Sequence, residues 1–185
     1  MQPLLVVLDL DETLIYASET ELAHRPDFAA GSYSVYKRPF LDEFLEQALA
    51  SYDVAIWTSS TAPYALAIAA ELVHDIASFK FIWARDRCTA RMDPETQECE
   101  FTKNLAKLRR RGFSLERTIV VDDSPEKHRR NYGNLVRVTP FFGDPEDDLL
   151  PRLADYIAAL ASVPNVRNVE KRGWDRLTGS GLTNR

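Results

Sequence analysis

Cysteine is scarce: the 185 residues hold two, Cys88 and Cys99. That excludes a disulfide framework, and with no Cys/His cluster around them it excludes a zinc site. Two reduced, partly buried thiols are expected, with a bridge across a hairpin as the alternative, because the pair flanks a turn-like stretch. No apolar run approaches the ~18–20 residues of a membrane span. The N-terminus has neither a basic region nor a small-residue cleavage site, so no secretory signal and no membrane association are expected, and the cytoplasm is the expected compartment. Positive charge is short as well. The chain has 23 Lys+Arg against 28 Asp+Glu and a net charge of −5, which excludes general nucleic-acid binding through a basic surface. Only residues 164–185 run the other way, with Arg167, Lys171, Arg172, Arg176 and Arg185 against Glu170 and Asp175. Internal repeats and low-complexity segments are absent.

What is present reads as alternating strand and helix. Leu4 to Leu8, Val54 to Trp57 and Ile119 to Val121 are apolar without polar alternation, the pattern of strands covered on both faces of a parallel sheet. Leu135 to Val138 adds a strand near an edge. Helical periodicity marks Pro39 to Ala50, about Pro63 to Val73, about Lys103 to Arg111 ending at Gly112, and about Pro145 to Ser162. Pro151 inside the last pattern implies a kink or a later start. The fold class is α/β: a Rossmann-like parallel sheet with helices on both faces. Two stretches break the alternation and read as small β insertions. One is Ser18 to Tyr36. The other is Phe79 to Phe101, which reads as strand, turn (Met92 to Glu95) and strand. Residues 1–163 form the expected domain, and 164–185 a basic, mobile tail.

Each apolar strand ends in polar residues. The first runs into Asp9-Leu10-Asp11-Glu12-Thr13, the second into Thr58-Ser59-Ser60, and a later one into Asp122-Asp123-Ser124-Pro125. In open parallel sheets, ligands bind outside the carboxyl ends of the strands, so these groups converge on one edge. Crowded carboxylates repel, and a hard divalent cation with oxygen ligands relieves them. With Lys103 as an added charge and Thr58 as a hydroxyl donor, the set suits phosphoryl transfer. The Asp-x-Asp spacing puts Asp9 and Asp11 on one side of the chain. Asp9 then serves as nucleophile, forming an aspartyl-phosphate, and Asp11 as general acid and base.

The segment Asp9-Leu10-Asp11-Glu12-Thr13-Leu14 resembles the signature of the haloacid-dehalogenase phosphatases. Lys37-Arg38-Pro39, Trp57-Thr58-Ser59-Ser60-Thr61-Ala62-Pro63-Tyr64-Ala65, Arg85-Asp86-Arg87-Cys88, Lys103-Asn104-Leu105 and Asp122-Asp123-Ser124-Pro125 narrow it. They are similar to the FCP/SCP branch, the NLI-interacting-factor-like phosphatases of the RNA polymerase C-terminal domain, over about residues 4–160. The resemblance implies Mg2+ as cofactor, held by Asp9, Asp123, the Asp11 carbonyl and, through water, Asp122. It implies phosphate binding by Thr58, with Ser59 beside it, and by Lys103, whose nearest rival is Lys107 one helical turn on. It implies substrate contact by Arg85 on the inserted strands. Asp123 stands where many relatives have Asn, which predicts tighter metal binding. The insertion after the first motif looks shorter than in the polymerase-tail phosphatases, and the loop from Arg109 to Ser114 longer. His24, His74 and His128 have no part in this chemistry.

The expected activity is hydrolysis of phosphoserine or phosphothreonine in a phosphorylated protein or peptide, since no room exists for a large cap. The alternatives are a phosphatase of small phosphometabolites or nucleic-acid ends, and a protein-binding relative without catalysis. A dehalogenase is disfavoured, because a departing halide needs no acid at Asp11. The oligomeric state is not legible.

Overall fold

The computed structural model describes residues 2–92, 97 and 99–176. In chain order its elements are β1 (Leu5–Leu8), β2 (Ile15–Ser18), β3 (Phe28–Ala30), β4 (Tyr33–Lys37), α1 (Leu41–Ser51), β5 (Asp53–Trp57), α2 (Ala62–Leu72), β6 (Ile82–Trp83), β7 (Thr89–Met92), β8 (Cys99–Thr102), α3 (Ala106–Arg109), β9 (Thr118–Asp122), β10 (Leu135–Arg137) and α4 (Leu149–Ala161). The four expected strands form a sheet with a fifth, β6, in the order β10-β9-β1-β5-β6. Every pairing in it is parallel.

Alternate residues of the central strand feed two cores. Leu4, Val6 and Leu8 join the apolar stripes of α1, α2 and α4 in the larger one. Leu5 and Val7 join Trp57, Trp83, Leu105 and Leu108 in the smaller, under the short α3. Period-two alternation therefore explains why the run is apolar throughout: both faces are covered. Consecutive strands step from β1 to β5 to β6 in one direction, while β9 and β10 lie on the other side of β1. The order reverses between β1 and β9, and that switch point opens a crevice at the carboxyl ends of the strands.

The insertions are a three-stranded antiparallel sheet, β2-β4-β3, and the hairpin β7-β8. Among the described residues there is no separate cap domain. The second insertion is smaller than expected, because Ile82-Trp83 belongs to the main sheet; two residues are too few to show a period. The turn expected at Met92 to Glu95 falls, beyond Met92, outside the described residues. No disulfide links Cys88, which is buried, to Cys99, which is exposed. Burial pushes the Cys88 thiol pKa up.

Helix boundaries differ in instructive places. α1 begins at Leu41, not Pro39, because Phe40 adopts a left-handed backbone with φ 65°. α4 begins at Leu149, so Pro151 sits in its first turn, where a missing N–H costs nothing. α3 spans only four residues. Lys103 and Asn104 precede it, and the Asn104 side chain accepts from the Ala106 N–H. Gly112, at φ 86°, then reverses the chain.

The end of the chain is not loose over its described part. Val166, Val169 and Trp174 are buried. The Trp174 indole stacks on Tyr156 at 5.1 Å and donates to the Arg137 carbonyl at 2.6 Å. Lys171 donates to the carbonyls of Gly133, Val166 and Val169. Charge had hidden this, since a buried lysine capping carbonyls reads in sequence as a solvated one.

Arg38 pins the carboxyl-edge loops together. Its side chain is fully buried and grips Asp147 with two hydrogen bonds, of 2.8 and 2.7 Å. It also donates to the carbonyls of Thr13 and Thr139. Burial pushes Asp147 up, but the Arg38 bonds outweigh it and hold the carboxyl below the usual range. Asp147→Asn should cost about 1–3 kcal/mol at pH 7, less than a fully buried pair because Asp147 is partly exposed. A depressed carboxylate stabilises the fold above its unfolded pKa and loses that contribution as pH falls through the folded value. Urea titrations should therefore show a constant gap between wild type and variant from pH 7 to pH 5. The gap should close below the ordinary aspartate value of 3.8.

Candidate active site

The switch point gathers the acidic residues. Leu8 pairs with Val121 and with Ile56, and the Asp9 N–H continues the ladder to the Val121 carbonyl at 3.0 Å. Asp9 and Asp122 thus leave adjacent strand ends side by side, both buried. Asp123 follows on the loop. One carboxylate oxygen from each of Asp9, Asp122 and Asp123 lies within 4.8 Å of the others. An all-oxygen set of this kind fits a hard divalent cation such as Mg2+.

Lys103 makes the burial tolerable. Its ammonium is fully buried, 2.8 Å from Asp9 and 2.5 Å from Asp122. Burial alone would lower its pKa, yet the two carboxylates raise it. Asp9 is pushed up to about 7 by burial and by the Asp122 charge, against Lys103 and Lys127. Asp122 moves the other way. Burial pushes it up, but Lys103, the His128 hydrogen bond and Lys127 together hold it far below the ordinary value. The two acids are thereby separated in proton affinity, the pattern found where neighbouring carboxylates carry different roles.

The Asp11 carboxylate does not join the cluster. It turns to the start of α2, where the hydroxyls of Ser60 and Tyr64 donate to it at 2.7 and 2.6 Å. Its carboxylate oxygens are taken up by these two hydroxyls and lie outside the group formed by Asp9, Asp122 and Asp123. Only Leu10 lies between the two aspartates, and Glu12, at φ 56°, turns the chain just after Asp11. Thr58 is buried at the end of β5, and its hydroxyl accepts the Ser60 N–H at 3.0 Å. The Ser59 carbonyl accepts from Arg85 Nε at 2.7 Å. Arg85 lies in the turn after β6 rather than on the inserted hairpin, and its guanidinium covers the Phe101 ring at 5.1 Å. Asp11, Ser60, Tyr64, Tyr33 and Arg85 line one cleft of about 610 Å3.

Lys107, the rival to Lys103, is bound elsewhere, donating to the carbonyls of Arg87 and Cys88. Four further residues belong to the site. Thr13 donates to Asp123 at 3.3 Å. Lys127 reaches Asp9 at 3.4 Å. His128, far from incidental, is buried with Nε2 2.8 Å from Asp122; burial lowers its pKa against the pull of Asp122. Tyr64 holds Asp11. Thr13 and Tyr64 had a readable signal, since each stands inside a motif segment, Asp9 to Leu14 and Trp57 to Ala65, and Tyr64 lies in the first turn of α2. Lys127 and His128 sit on a short turn that has no periodicity to read.

The parallel sheet, with its order β10-β9-β1-β5-β6 and acidic carboxyl edge, gives the chain the haloacid-dehalogenase fold. Within that class it belongs to the NLI interacting factor-like phosphatase family, whose model matches residues 4–167. It is 30% identical to CTD small phosphatase-like protein 1 of Caenorhabditis elegans, over 90% of this chain and 34% of that protein. It is 32% identical to a probable C-terminal domain small phosphatase of Dictyostelium discoideum, over 82% and 50%. The chain therefore spans a third to a half of the length of these relatives. The fold is that of a beryllium-fluoride-bound variant of the fission yeast RNA polymerase II CTD phosphatase Fcp1, with a TM-score of 0.55 at 18% identity, over 94% of this chain and 54% of that one. Among the described residues no helix is long and apolar enough to cross a membrane.

Lys103→Met would leave two buried carboxylates without their shared cation. Breaking such a pair costs about 3–5 kcal/mol, and chemical denaturation at pH 7 should read a loss of that size. Lys107→Met should move stability by less than about 1 kcal/mol.

Proposed function

We propose that the chain hydrolyses phosphomonoesters through an aspartyl-phosphate on Asp9, and that its substrate is phosphoserine or phosphothreonine in a protein segment. The observation that carries the reading is the arrangement of Asp9. It is buried, backed by Lys103 and Lys127, and set beside a second carboxylate, Asp11, that faces the open cleft.

In this reading an Asp9 oxygen attacks phosphorus while the bond to the serine or threonine oxygen breaks. Asp11 delivers a proton to that leaving oxygen. Its carboxylate then takes a proton from a water that attacks the acyl phosphate, releasing inorganic phosphate and restoring Asp9. Lys103 and the Thr58 hydroxyl donate to the phosphoryl oxygens, where the charge of the transferring group resides. Ser60 and Tyr64 hold Asp11 at the side where the leaving group departs. Mg2+ held by Asp9, Asp123, the Asp11 carbonyl and Asp122 would neutralise phosphoryl charge and orient the phosphate.

Three points support a protein substrate. Among the described residues, the inserted sheet and hairpin leave the cleft uncapped. Tyr33, Tyr64 and Pro63 give that cleft an apolar wall next to Asp11. The relatives that match are named as C-terminal domain phosphatases, and a protein of the same fold is an RNA polymerase II CTD phosphatase. Every residue the chemistry needs is present, which weighs against a binding module without catalysis. The cytoplasm is the compartment proposed, on the two unlinked thiols; the nuclear envelope in other relatives' names belongs to those proteins.

Phosphopeptides, nucleotides and sugar phosphates assayed side by side test the substrate class. The reading expects Mg2+-dependent turnover highest on phosphoserine or phosphothreonine peptides, and equal or faster turnover of the small compounds would contradict it. Asp9→Asn should abolish turnover with an unchanged circular dichroism spectrum. Tyr64→Phe removes one charge-assisted hydrogen bond from Asp11 and should lower kcat on phosphopeptides about 10-fold or more, and burst-phase release of p-nitrophenol from p-nitrophenyl phosphate, whose leaving group needs no acid, should change little. An unchanged phosphopeptide kcat, or a burst slowed as much as the peptide reaction, would contradict the role of Asp11.

A further inference from the structure

On the side of the nucleophile away from the Tyr64 cleft lies a second, smaller depression, of about 130 Å3. One wall is the hairpin β7-β8 with Arg91 and Glu100. The other is the turn after β9 with Lys127, Arg129 and Arg130. The two walls are fixed to each other, because the Lys103 N–H at the end of the hairpin donates to the Lys127 carbonyl at 2.9 Å.

The charge balance is the reverse of the whole chain's. The protein carries −5, while this groove sets five basic residues, Arg91, Lys103, Lys127, Arg129 and Arg130, against the single carboxylate of Glu100, and of the five Lys103 is committed to the buried acids. Glu100 meets only Arg129, at 3.8 Å between largely exposed groups, a pair of little energetic weight. Among the described residues Arg91 and Arg130 make no ion pair, and both are exposed. Lys127 belongs to both sites: it lines the groove and reaches Asp9 at 3.4 Å. An anion in the groove is thus a near neighbour of a phosphoryl group on Asp9.

We propose that this groove is a second anion subsite that binds an acidic group flanking the scissile phosphate of a peptide, a carboxylate or a further phosphate. The inference rests on the phosphoprotein reading above and refines it to acidic or multiply phosphorylated segments. Arginine forks suit both oxyanions. A single-stranded nucleic acid fits less well: among the described residues no aromatic ring lines the groove to stack a base. The groove also has a local task. Asp11, Glu12 and Asp123 make the mouth acidic, and an acidic peptide needs a counter-charge to approach.

The test compares three substrates in Mg2+: a phosphoserine peptide with neutral flanks, the same peptide with glutamates on both sides, and p-nitrophenyl phosphate. Wild type should favour the acidic peptide about 5–20-fold in kcat/KM at low salt, mainly through KM, with the preference shrinking as NaCl is raised. The double variant Arg91→Gln/Arg130→Gln should lose the preference and keep its rate on p-nitrophenyl phosphate. Equal rates on the two peptides, or a preference that survives the double variant, would overturn the subsite. Faster turnover of a 5′-phosphorylated oligonucleotide than of either peptide would overturn its assignment to a peptide. Binding of a fluorescent, unphosphorylated glutamate-rich peptide, read by anisotropy, tests the groove independently of catalysis: wild type should bind it at least fivefold tighter than the double variant. If that difference appears while neither phosphopeptide is hydrolysed, the phosphoprotein reading fails and the groove stands; if it is absent, the groove fails.

Discussion

One buried ammonium holds the carboxyl edge of this sheet in its working shape. Lys103 is shared between Asp9 and Asp122, which the parallel register of β1 and β9 delivers side by side. Two carboxylates at that spacing in a buried site repel each other and lose hydration, and the Lys103 charge between them offsets part of both costs. The sheet brings the acids together, and Lys103 lets them remain. The position of α3 depends on the same contact. The helix starts three residues late because Lys103 has to extend toward the strand ends before the chain can coil.

Around that contact the other groups divide by direction. Asp122 is fastened from the inside by Lys103, His128 and the Ser124 N–H. Asp123 is tethered from the rim by Thr13 and Ser124. Asp11 turns outward to Ser60 and Tyr64. With Asp9, four aspartates of one chemical kind thereby acquire different environments, the condition under which neighbouring carboxylates can take different roles. Arg38 fastens the surrounding loops with one guanidinium, so the site's frame and its charges are held by different cations.

Much of this was legible in the sequence because it is written in periods and in clusters. Three unbroken apolar runs, each ending in Asp, Thr or Ser, predict both the parallel sheet and its reactive edge. Lys103 carries no such pattern, and its role came from the resemblance of Lys103-Asn104-Leu105 to a known motif. What escaped notice lies where local pattern has no force. β6 is too short to alternate. His128 and Lys127 are brought to the site by a single turn. Lys171 is buried among carbonyls, though its sequence neighbours are charged. Phe40 takes a glycine-like conformation that moves the start of α1, and nothing in its residue type announces that.

The most direct measurement is a crystal soaked with Mg2+ and beryllofluoride, which mimics the acyl phosphate. The account predicts beryllium bonded to a carboxylate oxygen of Asp9, fluorines within hydrogen-bond reach of Lys103 and the Thr58 hydroxyl, and a magnesium ion against Asp123. Beryllofluoride bound to another carboxylate, or a metal ion seated away from Asp9 and Asp123, would contradict it.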